Sequence, residues 1–545
     1  MPYQRAALGN GRDATTGEQY KIAKTGHNST GSKISFPCCF FVRSAMGIWR
    51  ALTKILRPAA RRATPDRSEK PTGDGVEAVF RRCADFISRE ITTGGNVRVR
   101  VFFLDSLTSG ETIAREVLAP LTDAGRLAGV PAEELPEKLL SGAVFASSAM
   151  RRETLGAVVS DLLAGCCVLV LDETRTAVAF ETKSRDKRSV DAPKEEKVVK
   201  GSKDAFTETL RTNVALVRRK LRSGELKIVE FTAGSETHTR TALFYIDGYT
   251  NPGIVSEAAR RLSDMAVEGV LTAAAVEECL ADQPRTPFPQ LLTTERPDKF
   301  CLNLLEGRVG VVADGLPIGF LAPGTFAQFL KVPEDAASHF VVGTAVTLLR
   351  CAALLVSLLL PAFFVAVAVY HPEMIPTKLL QSMIAAKQSV PFSAPMEVLL
   401  MLVSFELLQE AGLQLPTPVG ATISIIGALI VGQSAVEARI VSPVVVIVVA
   451  LSGVAGYTTP DQDMAAAMRL CRFLLVLAAI GAGMFGLVAG LTLLLYHLCT
   501  LESFGVPYMT PFVAAGPREL LRALVRMPLR EGSVRERALH TRRKE

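Results

Sequence analysis

"SIIGALIVGQSAVEARIVSPVVVIVVALSGVAGYTTP", residues 424–460, is apolar on both sides of one short polar step. The step holds Gln433, Glu437 and Arg439. The run before Glu437 (419–436) is eighteen uncharged residues, and the run after Arg439 (440–456) is seventeen. A helix needs about 20 apolar residues to cross the bilayer core, so each run is short for a full crossing. A charge at membrane depth costs about 2.5 kcal/mol or more, so such groups face a partner or water. Two readings of the step stand side by side. In one, Gln433, Glu437 and Arg439 lie at the mouth or depth of a pore, with Glu437 and Arg439 as an ion pair. In the other, they form a polar hairpin cap at the lipid headgroups. Gly427, Ala428, Gly432, Ser434 and Ala435 are small enough to let helices approach closely, which argues for packing rather than lipid exposure.

Other apolar runs surround this one. Residues 351–370 are twenty uncharged residues with Pro361 inside, and 473–496 are twenty-four. The first reads as a kinked span and the second as one full span. Between them "PMEVLLMLVSFELLQEAG" (395–412) carries Glu397, Glu406 and Glu410. Glu406 and Glu410 are four apart and share a helix face, whereas Glu397 points elsewhere and reads as interfacial. Glu406 and Glu410 either line a wet ion path or face solvent from an interfacial helix. The chain thus has five hydrophobic elements. A basic flank follows residue 500, which places both ends on the cytosolic side. An even number of crossings is then required; four are expected, with one element re-entrant or interfacial.

The 545 residues have a mean hydropathy of +0.28. Charge is segregated: residues 1–70 hold thirteen Lys/Arg against four Asp/Glu, and 518–545 hold nine against four. Within the leader, 41–58 reads either as a short basic helix on an anionic membrane or as a segment with no fold. Residues 75–340 read as α/β. "VRVRVFFLDSL" (97–107) and "HTRTALFYIDGY" (238–249) are strands ending in acidic turns, each followed by a helical pattern. The offset from Asp105 to Asp247 is 142 residues, which suggests two related lobes. The expected domains are a leader (1–74), lobe 1 (75–225), lobe 2 (226–340), a helical transmembrane domain (341–515) and a basic tail (516–545).

Catalytic signals are weak. The ten cysteines form no CxxC, which points to no metal centre and a reducing compartment. "GAGMFG" (481–486) lies inside a span, so its glycines read as packing residues, and Gly486 with Gly490 fits a helix-contact pattern. No P-loop, zincin or nucleophile-elbow motif occurs, so an enzyme, a cofactor and a nucleic-acid partner are not expected. The turn aspartates Asp105, Asp172, Asp247 and Asp314 are accounted for by turn chemistry.

Several blocks in order resemble the A subunits of spore nutrient germinant receptors, the GerA family. They are "RSVDAPKEEKVVKGSKDAFTETLRTNVALVRRKL" (188–221), "EGRVGVVADGLPIGFLAP" (306–323), "SIIGALIVGQSAVEARIVSPVVVIVV" (424–449) and "HLCTLESFGVPYMTPF" (497–512). The chain departs from the family at Gly201-Ser202-Lys203-Asp204, where the pattern has a Gly-Pro-Arg-Glu turn. The resemblance implies a multi-pass protein of the spore inner membrane with its soluble domain and C-terminus cytosolic. It also implies a homo-oligomeric gated cation channel that triggers germination, partnered by a transporter-like B subunit, a lipoprotein C subunit and membrane lipids. Glu406, Glu410, Gln433 and Glu437 are then the ion-path candidates, Arg439 an ion-pair partner, and Gly427, Gly432, Gly486 and Gly490 packing positions. A secondary transporter of small nutrients and a non-conducting signalling scaffold are the competing classes.

Overall fold

The computed structural model describes residues 68–513, apart from 128, 145–147, 184–191, 194–195, 197, 199 and 415–431, and also 520–521, 525, 539 and 541. The leader with its 41–58 segment, Gly427 and most of the basic tail lie outside the described residues.

Lobe 1 opens with α1 (Gly73–Phe80) and builds one sheet from β1 (Phe86–Thr92), β2 (Arg98–Leu104), β3 (Ala149–Arg152), β4 (Cys166–Leu171) and β5 (Thr176–Glu181). The strand order is β1-β2-β4-β5-β3, with every neighbour antiparallel. On one face α1 and α2 (Leu155–Leu163) bury Phe80, Val159 and Leu162 against Phe102, Val168 and Val170. Helical turns between Gly110 and Ala143 cover the other face through Ile113, Val117 and Leu139. Covered on both faces, β4 reads as the continuous apolar run CCVLVL rather than as an alternation.

Lobe 2 repeats this plan. It starts with α3 (Leu210–Lys220), followed by β6 (Leu226–Ala233), β7 (Thr239–Ile246), α4 (Pro252–Ser263) and α5 (Ala273–Leu280). Then come β8 (Leu292–Thr294), α6 (Pro297–Glu306), β9 (Val309–Ala313) and β10 (Gly319–Ala322). Its order, β6-β7-β9-β10-β8, is that of lobe 1 with five added to each strand number, again antiparallel throughout. The expected pair of related lobes is present, and the second repeat begins before residue 226, because α3 takes the place of α1. The equivalence extends to single bonds. The β4–β5 turn aspartate, Asp172, accepts from Gly73 N at 2.7 Å at the start of α1. The β9–β10 turn aspartate, Asp314, accepts from Leu210 N at 2.7 Å at the start of α3. Each carboxylate satisfies an orphan donor at the positive end of a helix.

The lobes are joined by a buried ion pair. Arg218 of α3 donates to both carboxylate oxygens of Asp85 at 2.9 Å, and to Leu226 O at 3.0 Å. The side chains are 0% and 5% exposed. Lys227 Nζ donates to Val79 O at 2.5 Å, and Ala84 N donates to Ile228 O at 2.8 Å.

The helical part comprises α7 (Phe340–Tyr370), α8 (Thr377–Lys387), α9 (Ala394–Gln414), α10 (Pro443–Gly456) and α11 (Gln462–Thr500). Pro361 lies inside α7 without ending it. Among the described residues, α7 and α11 are the two helices long and apolar enough to cross a membrane. Yet α11 is a hairpin rather than one rod. Ala482 and Gly483 leave helical backbone geometry, Gly483 with φ +59°. A Cβ on Gly490 would lie 2.9 Å from Leu475 Cδ2. In a straight helix those residues stand about 22 Å apart. The expectation of one span over 473–496 is therefore corrected: that run contains the bend, and hydropathy is the same on either side of a turn. The two arms are 462–481 and 484–500.

Side-chain neighbours fix the directions. α7 starts near lobe 2, where Arg350 pairs with Asp335 at 2.5 and 2.9 Å. It ends at the hairpin tip, where Tyr370 Oη donates to Ile480 O at 2.6 Å. α9 and α10 run parallel to each other, since Glu397 meets Ser442 and Gly453 meets Phe405. With the hairpin arms, the described helices make five lengthwise passes. Gly432 lies beside Val446 near the start of α10, at the end of the bundle away from lobe 2.

Candidate functional site

Three features stand out in the bundle. The first is an ionic centre. Glu406 of α9 lies 3.1 Å from Arg469 Nε and 3.7 Å from Arg472 Nη2, both on the first arm of α11. Arg472 is 3% exposed, Arg469 25% and Glu406 36%. Arg472 sits about 15 Å along the arm from Gln462, so the centre lies at mid-bundle. The Nε atoms of both arginines and Glu406 Oε2 are buried without hydrogen bonds. Two guanidiniums against one carboxylate leave an excess positive charge, and a cation has no favourable seat beside Glu406. Glu410 lies one turn on and is exposed.

The second feature is Glu397, fully buried at the other end of the bundle. Its Oε2 accepts from Ser442 N at 2.7 Å, at the N-terminus of α10, and its Oε1 has no hydrogen bond. The interfacial placement expected for Glu397 is corrected: this carboxylate is buried because a helix N-terminus supplies the complementary charge. Arg469, Arg472 and Glu397 were missed as site residues by sequence reasoning. The arginines' (i, i+3) spacing just before the apolar run 473–496 was the available signal.

The third feature is the polar step. Gln433 Nε2 donates to Glu437 Oε1 at 2.8 Å, and both residues are exposed. Arg439 stands in a left-handed turn (φ +56°), exposed, and makes no ion pair with Glu437. The partner of Glu437 is therefore the amide one helical turn away. Gly432 faces Val446 at ordinary contact distance, while Gly486 and Gly490 face Ala478 across the hairpin. The structure brings Gln433 and Glu437 together and leaves Glu406 and Glu410 on another helix.

The bundle is tied to lobe 2 at the end of α11. Thr286 Oγ1 and His497 Nε2 are hydrogen-bonded at 2.9 Å. Ser503 Oγ donates to Gln290 O at 2.8 Å, and Phe504 N donates to Asp282 Oδ2 at 2.5 Å. The Arg261 guanidinium lies 4.3 Å over the Phe504 ring. On the other side of the same joint Glu277 of α5 faces Asp461 and Asp463 at the start of α11. Burial, then those two carboxylates, push its carboxyl up to about 7.

A doubled α/β head on an apolar helical bundle, with charged groups paired between helices inside it, defines a membrane-associated protein with a separate α/β domain. The profile described as "Bacillus/Clostridium GerA spore germination protein" matches residues 74–538. The chain belongs to the GerA family of spore germination proteins. It is 37% identical over 449 residues to spore germination protein KA of Bacillus subtilis, covering 82% of each chain. It is 33% identical to spore germination protein GerLA of Bacillus cereus, covering 82% of this chain and 90% of that one. A Bacillus subtilis protein described as uncharacterized membrane protein YfkQ is 35% identical over 82% of this chain and 86% of its own. Among solved structures, the N-terminal domain of the A subunit of the Bacillus megaterium spore germinant receptor GerK3 matches at 24% identity. It covers 48% of this chain and 99% of that chain, with a TM-score of 0.38.

Proposed function

We propose that this chain is the membrane A subunit of a nutrient-sensing germinant receptor of the spore inner membrane. In this reading several copies enclose a gated passage for cations, assembled with a transporter-like B subunit and a lipoprotein C subunit. The observation that carries the reading is the Gln433–Glu437 pair, exposed at the end of the bundle away from lobe 2. In lipid such a pair is costly, and between copies it lines water. Glu406 is reassigned from lining to anchoring, because it is held by Arg469 and Arg472. The start of α7 and the end of α11 both lie beside lobe 2, which supports an even number of crossings with the lobes and C-terminus on the cytosolic side. The test is co-reconstitution of the three subunits in liposomes, with cation flux recorded on adding nutrient. Flux that Glu437→Gln alters and Glu406→Gln leaves ion-selective supports the proposal. A correctly assembled complex without flux, or a chain that remains a single copy by native mass, overturns it.

A further inference from the structure

Among the described residues, α8 (Thr377–Lys387) is the one helix of the bundle with no buried residue. It joins the end of α7 to the start of α9, so it lies at the end of the bundle away from lobe 2. A helix of eleven residues is marginal by itself in water, and α8 has no side-chain cap at its N-terminus. Its stability therefore calls for a surface outside the chain.

The side chains of α8 fit a lipid surface. Leu379, Leu380, Met383 and Ile384 fall on one helix face, and Lys378, Gln381 and Ser382 on the other. Leu380 and Met383 are half-buried, whereas Leu379 and Ile384 are 51% and 52% exposed. Exposed aliphatic side chains grouped in this way mark a contact surface. That surface continues along α7, where Phe363 and Val369 are also exposed. The charges of α8 are Lys378 and Lys387, with no acidic residue between 377 and 387. They complement the phosphates of anionic lipids, and their long stems let the ammonium groups reach upward from a helix lying lower. In a contact of α8 with its own copy, the same lysines would bring like charges together. Tyr370 at the end of α7 and Phe392 just before α9 are exposed on either side of α8. Aromatic residues collect at the headgroup level of membrane proteins.

We propose that α8 lies in the plane of the membrane surface, with its Leu379–Ile384 face in the headgroup–acyl boundary of an anionic leaflet. There it sets the depth of the connection between α7 and α9. The proposal rests on the reading of the bundle as membrane-spanning and is independent of whether the bundle conducts ions.

Tryptophan fluorescence tests it, because the chain has a single tryptophan, Trp49. In full-length Trp49→Phe, Ile384→Trp, Gln381→Trp and Leu355→Trp are introduced one at a time. Each variant is reconstituted in liposomes of phosphatidylcholine and phosphatidylglycerol, brominated either near the headgroup or near the end of the acyl chain. An interfacial helix sits about 5–10 Å into the boundary, so Ile384→Trp should be quenched about twofold more by the shallow bromine than by the deep one. Leu355→Trp, exposed midway along α7, should show the reverse order. Gln381→Trp should respond more to aqueous iodide than to either lipid. Unfolding temperatures identify a variant that fails to fold, and Leu379→Trp then replaces Ile384→Trp. If Leu355→Trp responds to the deep bromine while Ile384→Trp ignores both lipids, the proposal is overturned and the membrane-spanning reading stands. Iodide then separates a face open to water, which it quenches, from one covered by protein, which it does not. If Leu355→Trp also ignores both lipids, the membrane-spanning reading falls and the proposal with it. Equal lipid quenching at positions 381 and 384 also overturns it, since α8 would then have no lipid-directed face.

Discussion

At the residue scale, the sharpest consequence concerns Glu406. Removing its charge leaves Arg472, nearly enclosed, without a counter-charge. Breaking a buried pair costs about 3–5 kcal/mol; partial exposure of Glu406 lowers the expected loss in Glu406→Gln to about 1–3 kcal/mol. Replacing the partner as well, Glu406→Gln with Arg472→Met, should recover most of that, as read by thermal unfolding in micelles. Equal losses in the single and double variants would show that the ions do not act as a pair. Sequence reasoning reached Glu406 because an acid in an apolar run is conspicuous. It gave the wrong environment to Glu397 because hydropathy scores a residue against lipid, and Glu397 is set against a helix N-terminus 45 residues away in sequence. Arg439 shows the converse: proximity to Glu437 in sequence suggested an ion pair, but the left-handed turn carries it away.

At the element scale, the hairpin in α11 depends on glycines of different importance. A Cβ on Gly486 would overlap the carbonyl of Ala478, a backbone atom that cannot rotate away. Gly486→Ala should therefore cost about 1–3 kcal/mol by overpacking. Gly432→Ala meets only Val446 Cγ1 at 3.5 Å and should be close to neutral. Thermal unfolding of the two variants side by side checks the contrast; similar losses would remove the hairpin packing as the cause. The bend itself was not legible, since Gly481, Gly483, Gly486 and Gly490 serve a straight packed helix and a reversal equally well. The doubled lobe was legible because the same turn chemistry recurs: Asp105 and Asp247, like Asp172 and Asp314, are 142 residues apart. What those aspartates do depends on the tertiary fold, in which Asp172 and Asp314 cap the first helix of each repeat.

At the scale of the whole molecule, lobe 2 is coupled to the bundle through a joint whose two halves respond differently to solvent conditions. The contact of Ser503 with Gln290 O contains no titratable group and should be insensitive to pH. The other half buries Glu277 beside Asp461 and Asp463; burial, then those two carboxylates, raise its carboxyl from 4.5 to about 7. In the folded chain Glu277 keeps its proton between those values, whereas the unfolded chain has released it. The unfolded state then binds fewer protons, so stability falls as pH rises through this window. The favourable contribution is complete below about pH 4.5 and is lost as pH passes about 7. Glu277→Gln, neutral at every pH, should flatten this part of the profile and raise stability at pH 8 relative to the unmodified chain. The change should appear as weaker proteolytic cleavage around residues 281–289, between α5 and β8, where the joint opens. A pH profile of unfolding and cleavage identical in Glu277→Gln and the unmodified chain would mean that this carboxyl is solvated rather than buried beside Asp461 and Asp463.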